Sequence, residues 1–466
     1  MRNALCLLPL LAAACSPSGT TSTSTDTANT PASTNPAAPT TSAESAPSAT
    51  PSTAPAESAA ASASAATSPG PRLPPPTEAE AKALAASTNA FATDLYAQLR
   101  SEQGNLAVSP ASISLALAMT WGGAKGETAT QMAKVLRFSG NPDALFGSIG
   151  KQLATWNDPA RTAYTLRVTN RLFGEKTYTF QDAFLKQTAA TFGAPLESTD
   201  FRSSPSAPDA ARVHINGWVA KETNDRIKDL LTTGALDTDT RLVLVNAVYF
   251  LGTWATPFSK DGTRPAPFHV GGTTAKDVPT MNLSSRFKYA ATDGLRVLEM
   301  PYVGNELAMT LVLPDARNGL PAVEKKLTAD KLTAWVDAAA TKKVDVFLPS
   351  FEVSPPKSFL LNDPLTKLGM PLAFDRARAD FTGIANPPNP SDRLSISRVF
   401  HKAFVKVDEK GTEAAAATGV VMSTRGMPRP EESVEFRADH PFLYFVRDLR
   451  SGMILFMGRV TDPSKS

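Results

Sequence analysis

The stretch Asp408-Glu-Lys-Gly-Thr-Glu-Ala-Ala-Ala-Ala-Thr-Gly-Val-Val-Met-Ser-Thr-Arg-Gly-Met-Pro-Arg-Pro430 decides how the rest of the chain is read. It follows a strand-like Phe404-Val-Lys-Val407 and meets no proline before Pro428. So long a connection inside a compact domain is usually functional or disordered. Taken as a strand, one face carries Thr412, Ala414, Ala416, Thr418, Val420, Met422 and Thr424. The other carries Glu413, Ala415, Ala417, Gly419, Val421, Ser423 and Arg425. The first face is uncharged and small near its start; the second holds both charges. The alternation suits a segment buried on one side as a strand, although Ala-rich sequence alone prefers helix. An exposed Ala-rich linker is the other reading that these residues allow.

Outward from this stretch, the chain divides in two. Every aromatic residue of the 466 lies at or after Phe91, so the first fifth cannot supply a hydrophobic core. Between Ser16 and Pro76 there are twelve prolines, and the only charges are Asp26, Glu44, Glu57 and Arg72. Such a composition buries too little apolar surface to offset its ordering entropy, and reads as a disordered Ser/Thr/Pro/Ala tether. As a flexible coil the tether would reach about 45 Å, and as polyproline about 190 Å. Thr77–Ser466 is then the folding material, as one large domain. Before the tether, Met1–Ala14 has one positive charge, an apolar run and small residues ahead of Cys15, which reads as an export signal. Ending at a cysteine, it resembles a bacterial lipoprotein signal. That resemblance implies a lipidated Cys15 and a cell-envelope address, with Ser16 favouring the outer membrane and a periplasmic or surface-facing domain. Ala12 stands where that signal usually has leucine.

Several functions are excluded early. The formal charge of +3 gives no argument for nucleic acid. Both cysteines, Cys6 and Cys15, lie in the leader, which leaves no disulfide, thiol nucleophile or Cys-ligated metal in Thr77–Ser466. His214, His269, His401 and His440 are far apart and form no H-E-x-x-H, so neither a metal nor a cofactor is expected. Helical spacing appears over Ala83–Leu99, Ile113–Trp121 and Asp209–Leu231, the last with Val213, Trp218, Val219 and Ile227 on its apolar side. Strand-like runs are Arg241–Leu251, Leu298–Tyr302, Ala308–Pro314, Val344–Leu348, Phe404–Val407, Leu443–Arg447 and Met453–Val460. Early helices and late strands predict an α+β fold. The run Leu242–Leu251 contains Asn246, is too short for a membrane span, and reads as a central strand.

Glu409-Lys-Gly-Thr-Glu-Ala-Ala-Ala-Ala417 resembles the hinge of inhibitory serpins, and the likeness extends over nearly all of Thr77–Pro463. It continues through Asn105-Leu-Ala-Val-Ser-Pro-Ala-Ser112, Gly122-Gly-Ala-Lys-Gly-Glu-Thr128, Asn170-Arg-Leu-Phe173 and Leu242-Val-Leu-Val-Asn-Ala-Val-Tyr-Phe-Leu-Gly-Thr-Trp254. Val278-Pro-Thr-Met281, Leu298-Glu-Met-Pro-Tyr302, Leu311-Val-Leu-Pro314, Leu348-Pro349, His401-Lys-Ala403, His440-Pro-Phe442 and Leu455-Phe-Met-Gly-Arg459 follow in family order.

The resemblance implies a serpin-like fold with three β-sheets, about nine helices, a large five-stranded sheet and an exposed reactive loop at about 409–430. It implies a monomeric protein that is not an enzyme. A serine protease attacks the loop, and the cleaved loop then inserts as an extra strand, trapping the acyl-enzyme. The hinge would comprise Glu409, Gly411, Thr412, Glu413, Ala414, Ala415, Ala416 and Ala417. In the family, the residue offered to the protease is usually seventeenth, counting the hinge glutamate as first. That count lands on Arg425, implying a scissile bond Arg425–Gly426 and a trypsin-like target, with Met427 and Arg429 as lesser candidates. Ser109, Ser112, Asn246 and His401 fall on the buried polar cluster that controls sheet opening, and Trp254 on the sheet top. Two other readings are a non-inhibitory serpin acting as a binding module and a periplasmic acyl-serine enzyme. The latter rests on Ser148-Ile-Gly-Lys151 and Ser285-Arg-Phe-Lys288, with no K-T-G following.

Overall fold

Thr77 opens the first helix, Glu78–Leu99, by a capping box: its hydroxyl accepts from the Glu80 N–H and its own N–H donates to Glu80. This is earlier than the apolar spacing from Ala83 suggested, because the first turn is held by caps rather than by packing. The computed structural model describes residues 73–412 and 432–465. Among them are nine α-helices and three β-sheets, one of nine strands, one of six and one of two.

The strands form where long runs of β-branched and aromatic residues meet partners on both edges. Leu307–Pro314, Phe442–Asp448 and Ile454–Val460 are buried at every position and lie side by side in the nine-stranded sheet. The sequence runs had placed these elements to within a residue or two. Two long strands were less legible. Thr274–Thr292 shows no sustained alternation, since it changes neighbours along its length: Arg264–Val270 first, Leu295–Pro301 last, with Ala340–Pro349 on the other edge. Tyr164–Glu175 carries Arg167 and Arg171 on its outer face.

One helix is shorter than its spacing suggested. Asp209–Leu231 was expected; the helix is Ala207–Glu222. Asn224 and Asp225 adopt φ of 48° and 62°, which ends it, and the Thr223 hydroxyl donates to the Val219 carbonyl while accepting from the Ile227 N–H. Val213, expected on the apolar side, is exposed; Ala211, Ile215 and Val219 form that side.

The six-stranded sheet positions the site. Its strand order is Phe351–Val353, Val405–Val407, Gly411–Thr412, Leu242–Thr253, Tyr164–Glu175 and Leu196–Thr199. Five are ordinary neighbours and the sixth, Gly411–Thr412, is a two-residue wedge. Leu242–Thr253 pairs with Tyr164–Glu175 along its whole length, from Tyr164↔Gly252 to Gly174↔Leu242. Its inner face packs on the main core through Phe250, and its outer face on the helix Ala207–Glu222 through Val245 and Ala247.

The nine-stranded sheet is tied to the first helix by a buried charged group. Arg459 donates to Glu324 (3.0 Å) and to the carbonyls of Arg100, Glu102 and Gly104, while the Tyr96 hydroxyl donates to Glu324 at 2.7 Å. Burial and the adjacent Glu324 carboxylate push the Tyr96 hydroxyl well above its usual value, so it stays a donor. Glu324→Ala leaves the Arg459 charge buried without its counter-ion and should lower unfolding stability by about 3 kcal/mol, near the low end for a broken buried pair because three carbonyls remain. Denaturant melts of the uncleaved protein, compared with wild type, check this.

Candidate functional site

The chain reverses at Asp408–Gly411 in a tight hairpin, with the Asp408 N–H donating to the Gly411 carbonyl at 3.0 Å and the Gly411 N–H returning to Asp408 at 3.2 Å. The Asp408 carboxylate also accepts from the Lys410 and Gly411 N–H groups. This turn places Thr412 beside Val407 and Gly252, and Gly411 beside Thr253, all antiparallel. Glycine is required at 411. Its φ is +154°, and a Cβ there would lie 2.0 Å from the Gly252 carbonyl oxygen. Gly252 is also constrained, since its Cβ would meet the Phe250 ring at 2.5 Å.

Around the hairpin, Trp254 and its neighbours hold the backbone. The Trp254 indole N–H donates to the Asp408 carbonyl (3.0 Å), and its amide to Lys410 (2.8 Å). The Phe258 amide donates to Glu409 at 2.9 Å, and the Thr263 hydroxyl donates to the Glu409 carboxylate at 2.7 Å. Trp254 stacks on Tyr302 with centroids 4.7 Å apart and planes at 9°. The Tyr302 hydroxyl meets the Thr412 hydroxyl at 2.6 Å, both side chains fully buried. Burial pushes the Tyr302 hydroxyl above its ordinary value, partly offset by the Thr412 bond, so it remains protonated.

Beyond Gly252 the same edge of the central strand runs on without a strand partner among the described residues, down to Leu242. Its lower part opens on a cavity of about 220 Å³, lined by Ile113 and Leu117 of the second helix, Leu244 of the strand, and Ile396. At its head a polar chain crosses from helix to sheet. Ser112 donates to the Asn246 side-chain oxygen, Asn246 donates to Asn170 at 2.6 Å, and Asn170 donates to the Phe192 carbonyl at 3.0 Å. Ser109 caps the helix Pro110–Trp121, its hydroxyl donating to the Leu455 carbonyl at 2.7 Å. Its N–H donates to His401 Nε2 at 3.0 Å. That acceptor role requires a neutral imidazole with its proton on Nδ1.

A family model described as Serpin (serine protease inhibitor) matches residues 86–463. The chain is a serpin. It is 41% identical over 393 residues to the horse leukocyte elastase inhibitor, covering 82% of this chain and 99% of that one. Among solved structures, cleaved Serpin 42Da aligns with a TM-score of 0.72 at 32% identity, covering 82% of this chain and 99% of that one. Human thyroxine-binding globulin, solved with its ligand, aligns at 0.73 and 27% identity, covering 83% and 100%.

Of the serpin positions named from sequence, Glu409, Gly411, Thr412 and Trp254 meet at the hinge, while Ser109 bonds to His401 and Ser112 to Asn246 below it. Glu413, Ala414, Ala415, Ala416, Ala417, Arg425, Gly426, Met427, Arg429 and Cys15 lie outside the described residues. The reading missed Tyr302, although it sat in the motif Leu298–Tyr302, and Asn170, which stands directly opposite Asn246. Two asparagines in the buried faces of two apolar strands were the available signal. The S-x-x-K pairs assemble nothing catalytic. Ser285 and Lys288 are three apart on a strand and point to opposite faces, with Lys288 held by Glu299. Ser148 donates to its own helix at Ala144, and Lys151 pairs with Glu80 at 2.7 Å.

Burial depresses His401 to about 4 from its ordinary 6.5. Its contribution is complete above pH 6.5 and is lost as pH falls from 6.5 towards 4, amounting to about 3 kcal/mol. The wild-type minus His401→Gln difference in stability should therefore shrink over that interval, as measured by denaturant melts at stepped pH. A flat difference would remove His401 as the titrating group.

Proposed function

We propose that this serpin is an inhibitor that traps a trypsin-like serine protease by inserting its cleaved loop beside Leu242–Thr253. The observation that carries this reading is the register at the hinge: Thr412↔Gly252 stands at the head of a strand edge that has no strand partner among the described residues. Continuing that pairing would set Ala414 opposite Phe250, Ala416 opposite Val248, Thr418 opposite Asn246, Val420 opposite Leu244 and Met422 opposite Leu242. On the neighbouring strand, Leu166, Val168, Asn170 and Leu172 occupy those same levels and are buried. The uncharged face of the loop is thus the one that would meet the core. Glu413 would point to the outer face, where a charge keeps its water.

In this mechanism the protease serine attacks the Arg425 carbonyl and the amine of Gly426 leaves, giving an acyl ester on the protease. The serpin contributes no nucleophile. Its part is speed, because the strand must enter before water cleaves the ester. Small residues at the leading positions serve that speed. Arg425 suits a pocket with an acidic floor, whereas elastase has a small one. The relative named as an elastase inhibitor makes elastase the natural comparison protease. The non-inhibitory alternative fits this hinge less well, since the leading residues on the face that would meet the core, Thr412, Ala414 and Ala416, are small and uncharged.

The N-terminal reading extends the proposal: residues 1–14 as signal, a lipid on Cys15, residues 15–76 as tether and 77–466 as the serpin domain, carried at the cell envelope. Cys15→Ser should release the protein from the membrane fraction; retention would overturn the anchor.

Incubation with trypsin should give an SDS-resistant covalent adduct and a cut after Arg425 by mass spectrometry, with little adduct from elastase. Thr412→Arg should turn the inhibitor into a substrate, because burying that charge costs several kcal/mol. Clean cleavage of the wild type without adduct would favour a non-inhibitory serpin, and a persistent adduct from Thr412→Arg would refute the insertion register.

A further inference from the structure

The hinge is already strand-paired in the uncleaved chain. Gly411 and Thr412 sit between Val405–Val407 and Leu242–Thr253, and Thr412 is as buried as the core around it. The bonds from Trp254, Phe258 and Thr263 all reach the turn residues 408–410. Among the described residues one side-chain bond reaches Thr412 itself, and it comes from Tyr302, the residue that follows the strand Leu295–Pro301 of the nine-stranded sheet. Tyr302 is fixed by stacking on Trp254 and by an edge contact with Phe250 at 5.1 Å, so its hydroxyl has a defined position.

We infer that the Tyr302 hydroxyl is a positioning group for trapping: it holds Thr412 docked at the head of the slot while a protease is attached to the loop. The inference rests on the trapping mechanism proposed above. A protease bound at residue 425 tethers the far end of the loop and can pull the hinge out of the sheet. Only the docked hinge can be extended residue by residue towards Leu242. The insertion rate is then the rate from the docked state multiplied by the fraction docked. A buried hydroxyl pair adds to that fraction, and its loss leaves an unpaired buried hydroxyl as well. Glycine at 411 supplies no side chain to help, so beyond the turn residues 408–410 Thr412 is the first whose side chain can anchor the strand.

The test uses the full chain and trypsin, measuring the association rate constant and the number of serpin molecules consumed per protease trapped. Tyr302→Phe and Thr412→Val should each raise that number roughly threefold to tenfold, with association unchanged. Thr412→Ser keeps the hydroxyl and should behave as wild type. The double variant should be no worse than the poorer single, because the two hydroxyls act as one pair. Thermal melts confirm that each variant is folded, and hydrogen exchange should show faster exchange at the Thr412 amide in Tyr302→Phe. Unchanged consumption in both singles, additive losses in the double variant, or failure of Thr412→Ser to match wild type would overturn the role. Faster association with unchanged consumption would overturn it too, since that result makes the docked hinge a restraint on the loop. Absence of any adduct from wild type would overturn the trapping mechanism itself, and this role with it.

Discussion

Among the described residues, the central strand Leu242–Thr253 has a complete neighbour on one edge and a two-residue neighbour on the other. Backbone groups in a protein interior are nearly always paired, and leaving one unpaired costs about 1–3 kcal/mol. In the mechanism proposed above that edge is filled only after cleavage, so the sheet would be held short of its best-bonded arrangement until the loop enters. In that mechanism the shortfall drives insertion, and the other features would keep it in place. No disulfide contributes, because neither cysteine of the chain lies beyond residue 15. Packing and hydrogen bonds alone hold the two sides of the slot.

The two ends of the slot are closed by different physics. At the top, the contacts are aromatic and glycine-based. Gly411 against Gly252 brings two backbones together without side chains, and Trp254, Tyr302 and Phe250 build a rigid wall beside them. At Gly411 the two backbones come too close for any side chain between them. At the bottom, the contacts are polar. Ser112, Asn246, Asn170, Ser109 and His401 link helix, sheet and the segment before Val405 through single hydrogen bonds. Those bonds are specific but individually weak, each worth about 1 kcal/mol net.

Much of this was legible beforehand. The apolar run broken by Asn246 and the late succession of strands come from local pattern, which is where sequence speaks most directly. The resemblance then named Ser109, Ser112, His401 and Trp254, which no local pattern distinguishes from ordinary core residues. What stayed hidden depended on long-range register. Tyr302 meets Thr412 across 110 positions of sequence. Asn170 matters because it falls opposite Asn246, a fact of strand pairing. Thr274–Thr292 concealed itself by having different environments along one strand, and Val213 was misplaced because the helix sits on the sheet through a neighbouring stripe.

Asn246 shows why the lower closure is polar. Its side-chain oxygen accepts from the Ser112 hydroxyl and its amide donates to Asn170, so it is satisfied on two sides within a mostly apolar strand. A leucine there would pack as well and would need no partners, yet it would give nothing to hold helix and sheet in one register. In the register proposed for the inserted loop, the residue arriving opposite Asn246 is Thr418, flanked by Ala416 and Val420. A hydroxyl delivered to that level can take over a bond that strand entry disturbs, so the asparagine never has to be buried unpaired in either state. The same position would then hold helix and sheet in register before cleavage and receive the strand after it. That double duty accounts for a polar residue in the middle of a strand whose other core-facing neighbours are Leu244, Val248 and Phe250.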